Sequence, residues 1–251
     1  MTLTNPKTNL TASDSNLQQP SLDGQASNQA SKPADHHPWT NYYQAVAGRP
    51  PRETLLTALN AFDADAKEVA ESGPAAKFAV DLGCGNGRDT VELLRRNWLV
   101  LAIDGEAEAI AQLQQRQDLD SISLEASKEI PLEASLETRV QRFEALILPA
   151  NVDLINASFC LPFCSPDQFS TMWNKIVTAL KPGGRFCGHL FGDRDSWAVY
   201  PNRSHHMRSQ IDQLLIPFKV ELLDEEEHPG KTALGEEKHW HIYNIVAQRL
   251  A

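Results

Sequence analysis

Three glycines at every second position form the stretch with the clearest chemical meaning. Gly83, Gly85 and Gly87 lie between an alternating apolar run that ends at Leu82 and a segment of helix-forming residues. Glycines leave the backbone open to a ligand, and the free amides at the start of a helix point toward it. The stretch therefore predicts a nucleotide-type binding site between a strand and a helix.

The spacing of the glycines distinguishes between two kinds of nucleotide ligand. A dinucleotide loop has the pattern G-x-G-x-x-G, whose third glycine leaves room for a pyrophosphate, and here Arg88 occupies that position. A G-x-G-x-G turn better suits a ligand that carries an amino acid and a nucleoside without phosphates. Asp81 precedes the turn and Asp104 ends the next apolar run.

These segments resemble a known family. Phe78–Asp89 and Leu101–Gly105 are similar to the first two motifs of the class I S-adenosylmethionine-dependent methyltransferases, and Val152–Ser158 is similar to their fourth motif. The aromatic N-terminal segment resembles the tellurite-resistance and thiopurine branch. The resemblance implies S-adenosyl-L-methionine as methyl donor. It also implies an α/β fold with a doubly wound seven-stranded sheet of order 3-2-1-4-5-7-6, strand 7 being antiparallel.

The resemblance also implies contacts for the donor. Asp81 would meet its amino group, Asp104 its ribose and Glu144 its adenine. Tyr43 would lie against the donor and Arg49 or Arg52 would meet its carboxylate, unless the N-terminal segment is simply a helix packed on the sheet. The predicted donor contacts are Tyr43, Arg52, Asp81, Gly83, Gly85, Asn86, Gly87, Arg88, Asp104, Gly105, Phe143, Glu144, Asn156 and Ala157. Two of them have a plain alternative: Arg88 as a solvent-exposed helix residue, and Phe143 as a core aromatic.

The acceptor side is predicted from the last third of the chain. Asp195 and Trp197 follow the fifth strand, and His239 begins the seventh, which starts at the edge of the sheet where ligands bind. We expect His239 and Asp195 to be catalytic, beneath a loop over 224–238. The alternative is a solvated hairpin with His239 at its rim. His239 and His241 share a face of a strand, as a metal pair would, but no third ligand is evident and no metal is predicted.

Composition and charge limit the class of partner. The net charge is -10 and the pI about 5.3, with arginines scattered among acids, so no nucleic-acid partner is expected and a small-molecule acceptor is favoured. No apolar run approaches the ~18 residues of a membrane span. The four cysteines lie in or beside apolar stretches without a C-x-x-C pair, which is typical of reduced thiols. We expect a cytoplasmic monomer or homodimer that does not bind membranes.

The chain divides into a tail and one domain. Residues 1–37 are rich in Asn, Gln, Ser and Thr and predict a disordered tail. Residues 38–251 predict a single methyltransferase domain, in which 38–76 would form N-terminal lid helices.

Within the domain, the pattern predicts a helix over 107–117, an insertion over 118–138 and a third strand over 139–143. The sixth and seventh strands are predicted over 218–222 and 239–246.

The leading function is methyl transfer from S-adenosylmethionine to a small-molecule acceptor, whether a thiol, a chalcogen, a carboxylate or an amine. A protein or RNA methyltransferase and a non-catalytic S-adenosylmethionine-binding module are the alternatives, because a fold does not fix its acceptor. A nicotinamide oxidoreductase is disfavoured by Arg88 in place of the third glycine.

Overall fold

The computed structural model describes residues 39–68, 76–124 and 131–251. The predicted disordered tail over 1–37 lies outside these residues, as do parts of the predicted lid and insertion.

One mixed sheet of eight strands forms the centre of the described chain. Its strands are β1 (Phe78–Leu82), β2 (Leu99–Asp104), β3 (Leu136–Val140), β4 (Val152–Ala157), β5 (Leu180–Gly192), β6 (His205–His206), β7 (Phe218–Lys231) and β8 (Glu237–Arg249). Their order is β3-β2-β1-β4-β5-β8-β7, and β6 pairs with β5 beside this path. β8 is antiparallel to both β5 and β7. The predicted order is confirmed, with β7 and β8 as the sixth and seventh strands and the short β6 as an addition.

Helices lie on both faces of the sheet. They are α1 (Trp39–Ala45), α2 (Glu53–Glu68), α3 (Arg88–Arg95), α4 (Ala107–Gln114), α5 (Gln117–Leu124), α6 (Leu132–Ser135), α7 (Pro166–Ala179) and α8 (Arg208–Leu214). Side chains alternate along a strand, so Val80 and Leu82 of β1 pack with α7 and α8 while Ala79 packs with α2 and α3. None of the described helices is both long and apolar enough to cross a bilayer.

The third strand and the insertion differ from the sequence predictions. β3 spans Leu136–Val140, not 139–143, and the chain then leaves the sheet for a short 3₁₀ turn over Phe143–Ala145. The predicted helix over 107–117 ends at Gln114, and α5 takes up part of the predicted insertion. The insertion contributes to the core because Leu119 and Ile122 of α5 are buried.

The last two strands are longer than predicted. β7 and β8 remain paired from Phe218 with Arg249 to Lys231 with Glu237. The predicted loop over 224–238 is therefore mostly a paired hairpin. Alternation along these strands breaks down in the acidic run from Asp224 to Glu227, which hid the extension from a pattern-based prediction.

Candidate active site

The turn between β1 and α3 depends on its glycines. Gly83, Gly85 and Gly87 have φ values of 66°, 54° and 85°, in the left-handed region that glycine tolerates best. The Gly83 N–H donates to the Ile103 carbonyl at 2.8 Å, which ties the turn to the end of β2. A Cβ atom on Gly83 would collide with Cys160. The backbone therefore reaches this position only without side chains.

Asp104 ends β2 and binds the glycine turn directly. Its Oδ2 accepts a hydrogen bond from the Gly85 N–H at 2.9 Å, and its Oδ1 accepts one from the Glu106 N–H at 2.8 Å. Burial raises the pKa of this carboxyl, and the two backbone hydrogen bonds partly offset that effect. The turn and the carboxylate thus form one unit.

A buried network of two carboxylates and an amide lies beneath the turn. The Asn156 Nδ2 donates to Asp81 Oδ1 at 2.9 Å and to Asp89 Oδ2 at 3.0 Å. The Thr90 hydroxyl donates to the second oxygen of Asp81 at 2.5 Å. Burial, followed by repulsion from Asp89, raises the pKa of Asp81. Asn156, at the end of β4, therefore links Asp81, in the strand before the turn, to Asp89, in the helix after it.

These elements border a cleft of about 430 Å³ that is partly open to solvent. Tyr43 of α1 is buried and covers the turn, since a Cβ atom on Gly85 would lie 3.2 Å from its Cε1. Burial, and then the charge of Asp104, raise the pKa of Tyr43, so its hydroxyl stays protonated. The residues that line the cleft are Tyr42, Tyr43, Val46, Arg52, Asp81, Gly83, Cys84, Gly85, Asn86, Arg88, Asp89 and Ser158.

Two arginines bring positive charge to this cleft. The Arg88 Nε donates to the Pro50 carbonyl at 2.5 Å. The Arg52 backbone N–H donates to Asp89 Oδ1 at 3.0 Å, while its guanidinium lies 4.4 Å from the centre of the Phe159 ring. Burial and the charge of Arg52 lower the pKa of Arg88. The two cations are thus close enough to repel each other and would together attract an anionic group.

Some predicted donor contacts lie away from the lining of the cleft. Gly87 is the N-cap residue of α3. Gly105 packs against Arg142, since a Cβ atom added to it would lie 3.4 Å from the Arg142 Cγ. Phe143 is half-buried against the core layer of α7, and Glu144 is exposed in the 3₁₀ turn. The early end of β3 explains the last two positions, because it leaves both residues beyond the sheet. Ala157 is fully buried at the end of β4.

The sequence also matches a known family. Residues 79–184, from β1 to the first part of β5, match the sequence profile of the methyltransferase domain family. This stretch of the chain is similar to a methyltransferase domain. The matched stretch includes the glycine turn, which lines the cleft, and Asp104 and Asn156, which do not line it but hydrogen-bond to Gly85 and Asp81 of its lining. No curated protein sequence matches the chain.

Solved structures with similar folds include many methyltransferases. TehB from Haemophilus influenzae has a TM-score of 0.57 and 14% identity, over 75% of this chain and 62% of TehB, so the chain spans under two thirds of that protein. The 1,6-didemethyltoxoflavin-N1-methyltransferase of Burkholderia thailandensis, bound to its substrate and S-adenosylhomocysteine, has a TM-score of 0.52 and 20% identity, over 79% of each chain. The magnesium protoporphyrin IX methyltransferase of Synechocystis PCC 6803 with bound S-adenosylmethionine has a TM-score of 0.53 and 14% identity, over 85% of this chain and 91% of that chain.

Identities this low make the structural likeness a statement about the fold. Together with the family match, it confirms the predicted class I methyltransferase fold. The names of these neighbours carry different substrates.

On the predicted acceptor side of the methyltransferase domain, Asp195 is fully engaged. Its Oδ1 contacts the Lys238 ammonium and accepts a hydrogen bond from the Trp197 N–H at 2.9 Å. Its Oδ2 accepts one from the His241 N–H at 3.2 Å. Lys238 has a fully buried side chain and lies within 4.2 to 4.9 Å of three aromatic ring centres. Burial alone would raise the pKa of Asp195, but its hydrogen bonds, including that from Lys238, lower it overall.

His239 lies beside the turn that carries Asp195, but its ring points elsewhere. Its N–H donates to the Ser196 hydroxyl at 3.3 Å, so the start of β8 and the turn after β5 do meet as predicted. The ring is 44% exposed, and its Nε2 lies 2.9 Å from a carboxylate oxygen of Glu227 on β7. Neither His239 nor Asp195 is among the residues that line the cleft.

Sequence reasoning missed several residues of the site. Asp89 lines the cleft and binds both Arg52 and Asn156. Its place in the first turn of the helix after the glycines is a signal that could have found it. Lys238 had no such signal, because one lysine in a strand carries no pattern.

Proposed function

We propose that this protein transfers the methyl group of S-adenosylmethionine to a small-molecule acceptor. The observation that carries the proposal is the hydrogen bond from the Gly85 N–H to Asp104, which holds a carboxylate from β2 against the glycine turn that lines the open cleft. A carboxylate in this position has lone pairs left for ribose hydroxyls. Arg88 occupies the position where the dinucleotide pattern G-x-G-x-x-G has its last glycine, and this also favours a donor without a pyrophosphate.

The residues around the cleft suggest how the donor is held. Arg52 and Arg88 would meet its carboxylate, and the acidic pair below the turn, Asp81 and Asp89, would attract its ammonium group. Tyr43 would cover it from α1. The donor is already an activated electrophile, so the task of the protein is to align the acceptor with the methyl group and to exclude water.

Two features favour a small molecule over a macromolecule as acceptor. The chain has a net charge of -10 without a basic cluster, whereas a nucleic-acid enzyme usually has a basic face. The cleft is partly covered by α1, which limits the size of what can approach the turn. Thiols, chalcogen compounds, carboxylates and amines are the proposed classes.

Asp195 and His239 would then have different roles. Because Asp195 is saturated by Lys238 and backbone amides, it would position the turn that carries Trp197 and would not exchange protons itself. His239 has an exposed ring and remains the proposed proton acceptor for substrates that must lose a proton. We also propose that residues 38–251 act as one domain, as a monomer or homodimer. The free cysteines Cys84, Cys160, Cys164 and Cys187 favour a reducing compartment such as the cytoplasm.

A transfer assay tests the proposal. Purified protein is incubated with methyl-labelled S-adenosylmethionine and separate panels of thiols, chalcogen oxyanions, carboxylates and amines. We expect label to appear in one panel and to be lost in the Gly85→Val variant, whose added side chain fills the space against Tyr43. Label that appears only in added RNA or protein would overturn the small-molecule part of the proposal. A chain that neither binds the donor nor transfers label would overturn all of it.

A further inference from the structure

A buried histidine without a partner lies on β5. His189 is 4% exposed, and its Nδ1 has no hydrogen-bond partner within the described residues. Burial, and then the charges of Arg52 and Arg88, lower its pKa well below the usual value, so the ring is neutral at physiological pH. Buried polar atoms are nearly always paired, so an unpaired one calls for an explanation such as a functional role.

Phe159 covers this histidine in a strained conformation. Its φ is 55°, in the left-handed region that residues other than glycine seldom adopt. The ring stacks on the His189 imidazole with centres 3.9 Å apart and planes 18° from parallel, and the Arg52 guanidinium lies over the same ring, 4.4 Å from its centre. Backbone strain of this kind occurs disproportionately at ligand sites, where the surrounding structure maintains it.

The stack of Arg52, Phe159 and His189 borders the donor cleft. Arg52 lines the cleft, and Phe159 directly follows Ser158, which also lines it. β4 and β5 are parallel, and Ala157 pairs with Gly188. Ser158 and His189 therefore lie one residue further toward the carboxyl ends of these strands. The carboxyl ends of parallel strands form the ligand edge of such a sheet. The unpaired imidazole is therefore at the correct end of β5 to meet a ligand.

We propose that Phe159 and His189 form the wall of the acceptor subsite that faces the transferable methyl group, with His189 as the hydrogen-bonding contact of the acceptor. The inference rests on the proposed function and adds to it two residues outside the donor pocket. A neutral imidazole offers one donor and one acceptor nitrogen, so it can orient an acceptor without adding charge beside the sulfonium. Phe159 excludes water from the same space.

The position of the methyl group can be measured without knowing the acceptor. Protein is saturated with S-adenosylmethionine labelled with ¹³C at the methyl, and nuclear Overhauser contacts from that methyl to aromatic protons are recorded. We expect contacts to the rings of Phe159 and His189 that disappear in the Phe159→Leu and His189→Gln variants. The control is His206→Gln, because His206 is also buried with an unpaired Nε2 but packs against Phe169 of α7.

The outcomes are distinct. A bound methyl signal without contacts to either ring would overturn the inference and leave the proposed function standing. If no bound methyl signal forms at all, the proposed function fails and the inference fails with it.

Kinetics then test the hydrogen bond. For the compound that accepts label in the transfer assay, His189→Leu should raise the KM about tenfold, as expected for the loss of one hydrogen bond, while His189→Gln should largely restore it. The affinity for S-adenosylhomocysteine should stay within about twofold of the original protein in both variants. An unchanged KM in His189→Leu would show that the acceptor does not bind His189.

Discussion

Replacement of Asp104 by alanine should weaken the binding of S-adenosylhomocysteine by about 10- to 150-fold. Each oxygen of this carboxylate already accepts one backbone N–H, at 2.9 and 2.8 Å, from Gly85 and Glu106. A carboxylate has about four lone-pair sites, so about two remain for ribose hydroxyls. Hydrogen bonds to a charged group contribute about 1.5–3 kcal/mol, and 1.4 kcal/mol corresponds to a factor of ten in affinity.

Isothermal titration calorimetry with S-adenosylhomocysteine measures this change. Asp153 provides a matched control, because it is also 9% exposed and accepts a backbone hydrogen bond, from Phe78 at 2.9 Å, but begins β4 at the opposite end of the strands. Asp153→Ala should lower the thermal stability and leave the affinity unchanged. Asp104→Asn keeps one oxygen for Gly85 and should lie between the original protein and the alanine variant. A folded Asp104→Ala variant with unchanged affinity would refute the assignment of Asp104 to the ribose.

Three further predictions concern other parts of the chain. Gly85→Val should abolish measurable binding of S-adenosylhomocysteine in calorimetry, because Gly85 has a φ of 54° and its Cβ would press on the covering helix α1, whereas far-ultraviolet circular dichroism should be nearly unchanged. Lys238→Met should lower the free energy of unfolding in urea by about 3–5 kcal/mol by leaving Asp195 buried without its cation, and the double variant with Asp195→Asn should recover part of the loss; equal losses in both would contradict this reason. Burial, and then the charge of His205, lower the pKa of His206 to about 4, so between about pH 6.5 and 4 the unfolded chain binds a proton that the folded chain does not. Stability should therefore fall as the pH falls through that range, by up to about 1.4 kcal/mol per pH unit from this group, and His206→Gln should reduce the slope.

The donor half of the site was accessible from the sequence because it is local. Gly83, Gly85 and Asp81 lie within one strand and turn, and Asp104 ends the next strand, so a short pattern specifies their arrangement. The parallel order of the strands then brings Asn156 to the same edge. These contacts need only the direction of each strand, which the apolar alternation indicates.

The boundary of the third strand was harder to predict for a local reason. The edge strand β3 is paired on one side only and mixes Glu137, Thr138 and Arg139 with few apolar residues. Its signal in the sequence is weak, and its end lies three residues earlier than predicted, so Phe143 and Glu144 are in a turn after the strand.

The acceptor side depends on contacts between distant segments. Lys238 pairs with Asp195 across 43 positions of the sequence, and His189 meets Phe159 only through the packing of β4 against β5. No periodicity encodes such pairs, because each residue alone is compatible with an ordinary strand or turn. The sequence predicted that the start of β8 meets the turn after β5, whereas the individual side-chain contacts required coordinates.

The central claim is that the cleft binds S-adenosylmethionine and not a dinucleotide. Calorimetric titrations of the same protein sample with S-adenosylhomocysteine and with NAD compare the two candidates directly. In the glycine turn, Arg88 replaces the last glycine of the dinucleotide pattern, and the Gly85 N–H donates to Asp104. We therefore expect binding of S-adenosylhomocysteine at about micromolar concentration and no binding of NAD. Binding of NAD by a chain that ignores S-adenosylhomocysteine would contradict the account.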